Sequence, residues 1–302
     1  LLAIGVVVVT RPADAQRSSP QLRWLRYAQS QLQFSIRSGR IVVTALRSSR
    51  FTSPWSTDSQ GRKEQMTIQY SHQTGSCDLS YHLLSPEEKL SITAGTDGRV
   101  AIRRNPGSKG KTVPSEFLQE PSRPLMLTFG KDAEKRSIKA PTIWHLLLAH
   151  PDACKRYVLP SFELLQPGWK LLHQADQIER ELLAAARSGK LPDRKRWAEL
   201  VDQLGDPRFA RREAADRQLR ALGRPVVAHL RSLDRDKLDA EQQYRIHRII
   251  RSLTSTLGDE SAGQVANTML GDPTIWLILL GRDSKATRQT AARHIERLLD
   301  GP

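Results

Sequence analysis

From about Gln31 to Phe129 the chain alternates apolar and polar positions with a period of two. Leu32/Phe34/Ile36, Ile41/Val43/Ala45, Met66/Ile68/Tyr70, Leu79/Tyr81/Leu83, Leu90/Ile92, Val100/Ile102 and Leu125/Leu127/Phe129 place every second side chain on one face, as half-buried antiparallel strands do. Ser38-Gly39, Thr74-Gly75-Ser76, Ser85-Pro86 and Asp97-Gly98 separate these runs, where tight turns need residues that accept a positive or preset φ. The prediction is an antiparallel β-meander. The polar stretch from Asn105 to Ser122 reads as an exposed loop within it, and TIWHLLLAH, Thr142 to His150, as one helix covering the sheet's apolar face.

After Gly168 the period becomes helical. Leu171, Ala175, Ile178 and Leu182 follow i, i+4, i+7, i+11, and Trp197, Leu200, Val201 and Leu204 follow i, i+3, i+4, i+7. Gly189, Gly205-Asp206-Pro207, Gly223-Arg224-Pro225, Gly258 and Gly281 break the pattern into short helices arranged as antiparallel pairs. TIWLILLG, Thr274 to Gly281, is apolar on every side and predicts a helix buried between neighbours. Laying REAADRQLRAL from Arg212 over RQTAARHIERL from Arg288 keeps Arg, Ala, Arg, an aliphatic residue and Leu in matching places, an internal repeat. The fold class is α+β, with a β domain over residues 16–165 and a helical domain over residues 166–302.

WAELVDQLGDPRFARREAADRQLRALGRPVVAHLRSL, from Trp197, resembles the HEAT-like repeats of the phycobilisome-lyase type. The resemblance implies a small α-solenoid in the C-terminal half, with Asp206 before its second helix and Arg212 within that helix in structural roles. The apolar stripe Ala215, Leu219 and Leu222 would turn Arg220 toward water.

Charge adds a second theme. The chain of 302 residues carries a net charge of +15, with 23 basic and 13 acidic side chains in residues 1–165 and 24 and 19 in residues 166–302. The excess therefore lies mainly on the β domain. Arg99, Arg103, Arg104, Lys109 and Lys111 cluster around one hairpin and its loop, a candidate patch for acidic glycans, lipid headgroups or extracellular nucleic acid, with a solvated face as the alternative.

The apolar run Leu1 to Val9 followed by Ala13-Asp14-Ala15 reads as a secretory signal, residues 1–15, with cleavage before Gln16. It falls well short of the roughly 20 apolar residues of a membrane span. The expectation is an exported protein, periplasmic or secreted, in which Cys77 and Cys154 could form one disulfide or remain as buried thiols.

Local chemical motifs are few. GSKGKT, Gly107 to Thr112, ends like a phosphate-binding loop, but Asn105 stands where that loop needs glycine and Pro114 follows where it needs a helix. His72, Cys77 and His82, or His145 and His150, lack the close spacing of a metal set, and no nucleophile elbow or zinc-protease helix occurs. The reading therefore names no catalytic residue, metal or cofactor, although a site assembled from distant positions stays open. The expected function is a non-enzymatic interaction or scaffold role toward a protein partner, through the helical domain. An anionic envelope polymer or lipid surface bound by the β domain is the alternative, and an enzyme the third.

Overall fold

The computed structural model describes residues 23–48, 50–58, 61–188, 194–223, 225–254 and 260–300. The signal-like segment 1–15 and the predicted breaks at Gly189, Arg224 and Gly258 lie outside the described residues. Helix α1 (Arg23–Gln31) leads into the hairpin β1 (Leu32–Arg37) and β2 (Arg40–Ala45). Two short strands follow, β3 (Phe51–Thr52) and β4 (Ser56–Thr57), then β5 (Lys63–Tyr70), β6 (Cys77–Leu84), β7 (Glu88–Gly95) and β8 (Val100–Pro106). Strands β9 (Ser115–Gln119), β10 (Leu125–Phe129) and β11 (Arg136–Ala140) complete the β region.

From β5 to β11 each strand pairs antiparallel with the next, the meander that the alternation predicts, while β3 and β4 extend the β5 edge. The register builds one apolar row across seven strands: Met66, Tyr81, Ile92, Ile102, Phe117, Leu127 and Ile138 stand successively opposite one another. Directly opposed side chains on one face are the unit of sheet stabilisation, so this row fixes the pairing. The stretch from Asn105 to Ser122 is not a continuous loop, because β9 lies within it. Its Gly107-to-Gly110 turn is anchored on the β6–β7 connection, where Gly107 N–H donates to Glu87 O at 2.9 Å and Lys109 N–H to Pro86 O at 2.7 Å.

Helices α2 (Ile143–Ala149), α3 (Pro151–Tyr157), α4 (Leu159–Leu165) and α5 (Leu171–Arg187) come next. They are followed by α6 (Arg194–Gln203), α7 (Phe209–Ala221), α8 (Pro225–Ser232) and α9 (Ala240–Thr254), then α10 (Ala262–Met269), α11 (Pro273–Leu280) and α12 (Lys285–Asp300). The cover over the sheet is more than one helix: Phe162 of α4 meets Phe117 edge-on at 5.0 Å, and Tyr157 of α3 stacks on Phe129 at 4.3 Å. Helix α2 is buried along nearly its whole length, from Ile143 to Leu148.

The apolar interior does not change at residue 165. Buried residues of α5, α10, α11 and α12 belong to the same cluster as the sheet, whereas Trp197, Leu200, Leu219, Val226, Leu230 and Ile249 of α6 to α9 form a second one. Helix α11 is not buried on every side as its sequence predicts. Ile275, Trp276 and Leu279 face inward, but Leu277 is 61% exposed. Among the described residues no helix is long and apolar enough to cross a membrane.

Candidate functional site

The turn between β1 and β2 breaks a rule of strand pairing. Ser38 and Gly39, at φ +50° and +67°, form a two-residue connection that sets Arg37 directly opposite Arg40. Positive φ at both turn residues suits the twist of a hairpin, but like charges facing across strands are destabilising. The turn is pinned from below: Ile143 N–H donates to Gly39 O at 2.8 Å, and a Cβ at Gly39 would lie 2.4 Å from Thr142 Cβ. Only glycine fits there. Gln119, 1% exposed, locks β2 to the sheet by accepting from Ile41 N–H at 2.9 Å and donating to Ile41 O and Gly98 O, both at 2.8 Å.

These arginines open onto a cleft of about 870 Å³. Arg37 and Arg40 form one side, Arg123 from the β9–β10 connection and Lys139 of β11 another, and Arg231 of α8 closes the far wall. Among the described lining residues there is neither a carboxylate nor an aromatic ring. The five cations are compensated unequally. Arg123 pairs with Glu120 at 2.8 Å, and Arg40 donates to the backbone oxygens of Arg123 and Glu120 at 3.0 and 2.9 Å. Arg37 Nε and Nη2 are inaccessible to solvent and have no partner among the described residues. Burial first, and the like charge of Arg231 second, hold Arg40 below the usual guanidinium range.

A second, smaller pocket of about 190 Å³ shares Ser38, Pro141, Thr142 and Arg231 with the cleft. Beside it, Thr142 Oγ1 lies 2.7 Å from His145 Nδ1, and His145 Nε2 lies 3.0 Å from Asp272 Oδ2. Burial raises the Asp272 carboxyl, but hydrogen bonds from His145 and Thr274 outweigh it and hold it below the usual carboxylate range. The two ring nitrogens of His145 are thus each engaged, one by Asp272 and the other by Thr142. This hydroxyl–imidazole–carboxylate chain resembles a catalytic relay only in its order. Thr142 caps α2 by accepting His145 N–H, Asp272 caps α11 by accepting Thr274 N–H, and the Gly39 backbone lies over the Thr142 side chain. The chain ties two helix N-termini together beneath the turn.

Three of the five basic residues singled out in the sequence have carboxylate partners. Arg99 pairs with Asp97 at 2.5 Å, Arg103 with Glu116 at 2.6 Å and Arg104 with Glu88 at 2.5 Å, while Lys109 and Lys111 are exposed. By strand alternation Arg103 and Arg104 point to opposite faces of the sheet, so the cluster is not one surface. Cys77 and Cys154 are not bonded. Both are buried free thiols, with Cys154 Sγ–H donating to Leu146 O at 3.5 Å. Burial raises both thiols, Cys154 to about 12, which keeps them protonated and inert.

Arg212 donates from Nη1 to Asp206 O at 2.8 Å and Pro207 O at 3.1 Å. Arg288, its counterpart in the repeat, donates from Nη1 to Arg282 O and Asp283 O at 2.8 and 2.7 Å. Each arginine thus closes the turn before its own helix. The Asp206 carboxylate accepts Arg208 N–H at 2.8 Å and pairs with Arg211 at 3.1 Å. Arg220 does not project free into water: it pairs with Asp216, whose side chain is 3% exposed, and reaches Ser252 of α9. Among the described residues no group of three or more His, Cys, Asp or Glu could hold a metal ion.

Sequence reasoning missed the cleft. Its one local signal is a turn-forming Ser38-Gly39 flanked on both sides by arginine; Arg123, Lys139 and Arg231 join it from 83 to 194 positions away. Compared with known proteins, the chain matches no family model, no curated protein and no solved structure.

Proposed function

We propose that this protein binds an anionic ligand in the cleft between the β1–β2 turn, β11 and α8. The observation that carries the reading is Arg37, a guanidinium with two nitrogens withdrawn from solvent and without a partner among the described residues, held opposite a second arginine. A buried donor left unpaired costs about 1–3 kcal/mol, and more when it is charged. A carboxylate or phosphate oxygen in the cleft offsets the Arg37–Arg40 repulsion, and it relieves the cost of the two closed nitrogens once the Arg37 side chain turns toward it. The planar guanidinium fork suits either group. The lack of aromatic rings in the described wall gives bases no stacking platform, which favours recognition of the charged group over single-stranded nucleic acid. Titration calorimetry of the full chain with inorganic phosphate and with acetate tests the reading. Binding should weaken with salt and drop at least about tenfold in Arg37→Gln, by the loss of a charge-assisted pair. No measurable binding of either anion would end it.

A second reading rests on α6 to α9. Phe209 and Tyr244 are 63% and 61% exposed there, with Arg212 and Arg245 at 5.6 and 5.9 Å from the Phe209 ring. Exposed aromatics beside arginine are the commonest anchors of protein interfaces. The matching turn closure by Arg212 and Arg288 supports the HEAT-like, solenoid reading of these helices, a scaffold for a protein partner. Phe209→Ser should abolish partner capture without affecting anion binding.

A further inference from the structure

We infer that the ligand is a small amphiphilic anion, an aryl or short branched-alkyl carboxylate or phosphate. Its acidic group would sit on the cleft arginines and its apolar group in the 190 Å³ pocket beside them. The inference rests on the anion-binding reading above and adds the shape of the occupant.

The two cavities share the β1–β2 turn and Arg231, so a molecule on the arginines has the smaller pocket within reach. Unlike the cleft, that pocket has the buried apolar side chains Trp144, Val227, Val265 and Met269 in its wall, each 5% exposed or less, beside the polar His145, Asp272 and Glu260. At 190 Å³ its volume exceeds the roughly 150 Å³ of an apolar cavity that takes up benzene, although its own wall is mixed. A single ring or a branched four-carbon group matches this space, and a polymer does not. Trp144 adds a polar handle: its indole N–H has no acceptor among the described residues although the side chain is buried. A buried indole N–H ordinarily finds a partner, and an acceptor atom on the ligand would supply one.

The position carries a further consequence. Val227 and Arg231 come from α8, whose Val226 and Leu230 belong to the second apolar cluster, whereas Val265 and Met269 come from α10 and belong to the cluster of the sheet. Ligands commonly bind where two such bodies meet. An occupant of this pocket touches both, and joins α6–α9 to the β region.

Calorimetry of the full chain with inorganic phosphate and phenyl phosphate, and with acetate and phenylacetate, tests the inference. Burying the ring should make each aryl compound bind at least about tenfold tighter than its parent anion. Thr268 lines the pocket, is only partly buried and bonds to its own helix at Gln264 O, so Thr268→Phe fills the space with little demand on the core. That variant should lose the aryl preference while keeping phosphate affinity, and Thr268→Val, checked by the same melting curve, should keep both. Equal affinity for aryl and parent anions in the native chain, or an aryl preference that survives Thr268→Phe, would overturn the inference and leave the anion cleft standing. No measurable binding of phosphate or of acetate would overturn the anion reading itself.

Discussion

Arg220 of α7 and Arg245 of α9 end on carboxylates, whereas the arginines of the β1–β2 turn face one another. Arg245, only 7% exposed, meets Glu213 at 2.7 Å and Glu241 at 2.5 Å, with Asp216 at 3.9 Å, and Arg220 also closes on Asp216. Arg37 and Arg40 have backbone oxygens at best. The helical arginines tie α7 to α9; of the turn arginines, Arg40 reaches only backbone oxygens of the β9–β10 connection, and Arg37 Nε and Nη2 have no partner among the described residues. Net charge does not separate the two groups. What separates them is whether each cation already has its anion.

Four perturbations sharpen that contrast. Arg245→Ala should be the most damaging, because it leaves Asp216 buried with fewer cations around it; breaking a buried pair of this kind costs about 3–5 kcal/mol. A lowered urea midpoint would record it, and a change under about 1 kcal/mol would mean that the network contributes little. Gln119→Leu should cost about 2–3 kcal/mol, since Ile41 N–H and O and Gly98 O all lose their partner. Anion binding should fall with it, because β2 would no longer be fixed. A smaller effect comes from His294, whose imidazole is held below the ordinary histidine value chiefly by burial. The unfolded chain takes up that proton first, so its contribution is full above the ordinary value of about 6.5 and is lost as pH falls through the depressed folded value. Melting temperature should therefore drop more between pH 7.5 and 5.5 in the native chain than in His294→Phe. Arg103→Ala should change least, by under about 0.5 kcal/mol and with no effect on anion binding, because its partner Glu116 is also at the surface.

The parts of this fold legible in the sequence are those where one local pattern decides the outcome. Alternation at Met66/Ile68, Tyr81/Leu83 and Val100/Ile102 reads directly as the inner face of the sheet, and Ser38-Gly39 reads as the turn that it is. Strand β9 was illegible because its buried face, Ser115, Phe117 and Gln119, is two-thirds polar. Gln119 is there as a hydrogen-bonding clamp, which no periodicity signals. Helix α11 misled in the opposite direction: Leu277 is apolar without being buried, and hydrophobicity alone does not reveal which face has a neighbour. Cys77 and Cys154 share a compartment expectation, but pairing depends on three-dimensional approach, and both are buried as free thiols in the apolar cluster of the sheet. The cleft is a product of tertiary structure in the same sense, as is the contact of His145 with Asp272 across 127 positions.

The central claim is that Arg37 is kept for a ligand at the expense of stability. Arg37→Gln tests it most directly, with thermal unfolding measured in the absence and presence of phosphate or phenyl phosphate. Removing one of two opposed like charges, with two buried guanidinium nitrogens that have no partner among the described residues, should raise the stability of the unliganded chain by about 1 kcal/mol. The same change should abolish the further rise that the anion gives to the native protein. A variant less stable than the native chain, or one still stabilised by the anion to the same degree, would contradict the account.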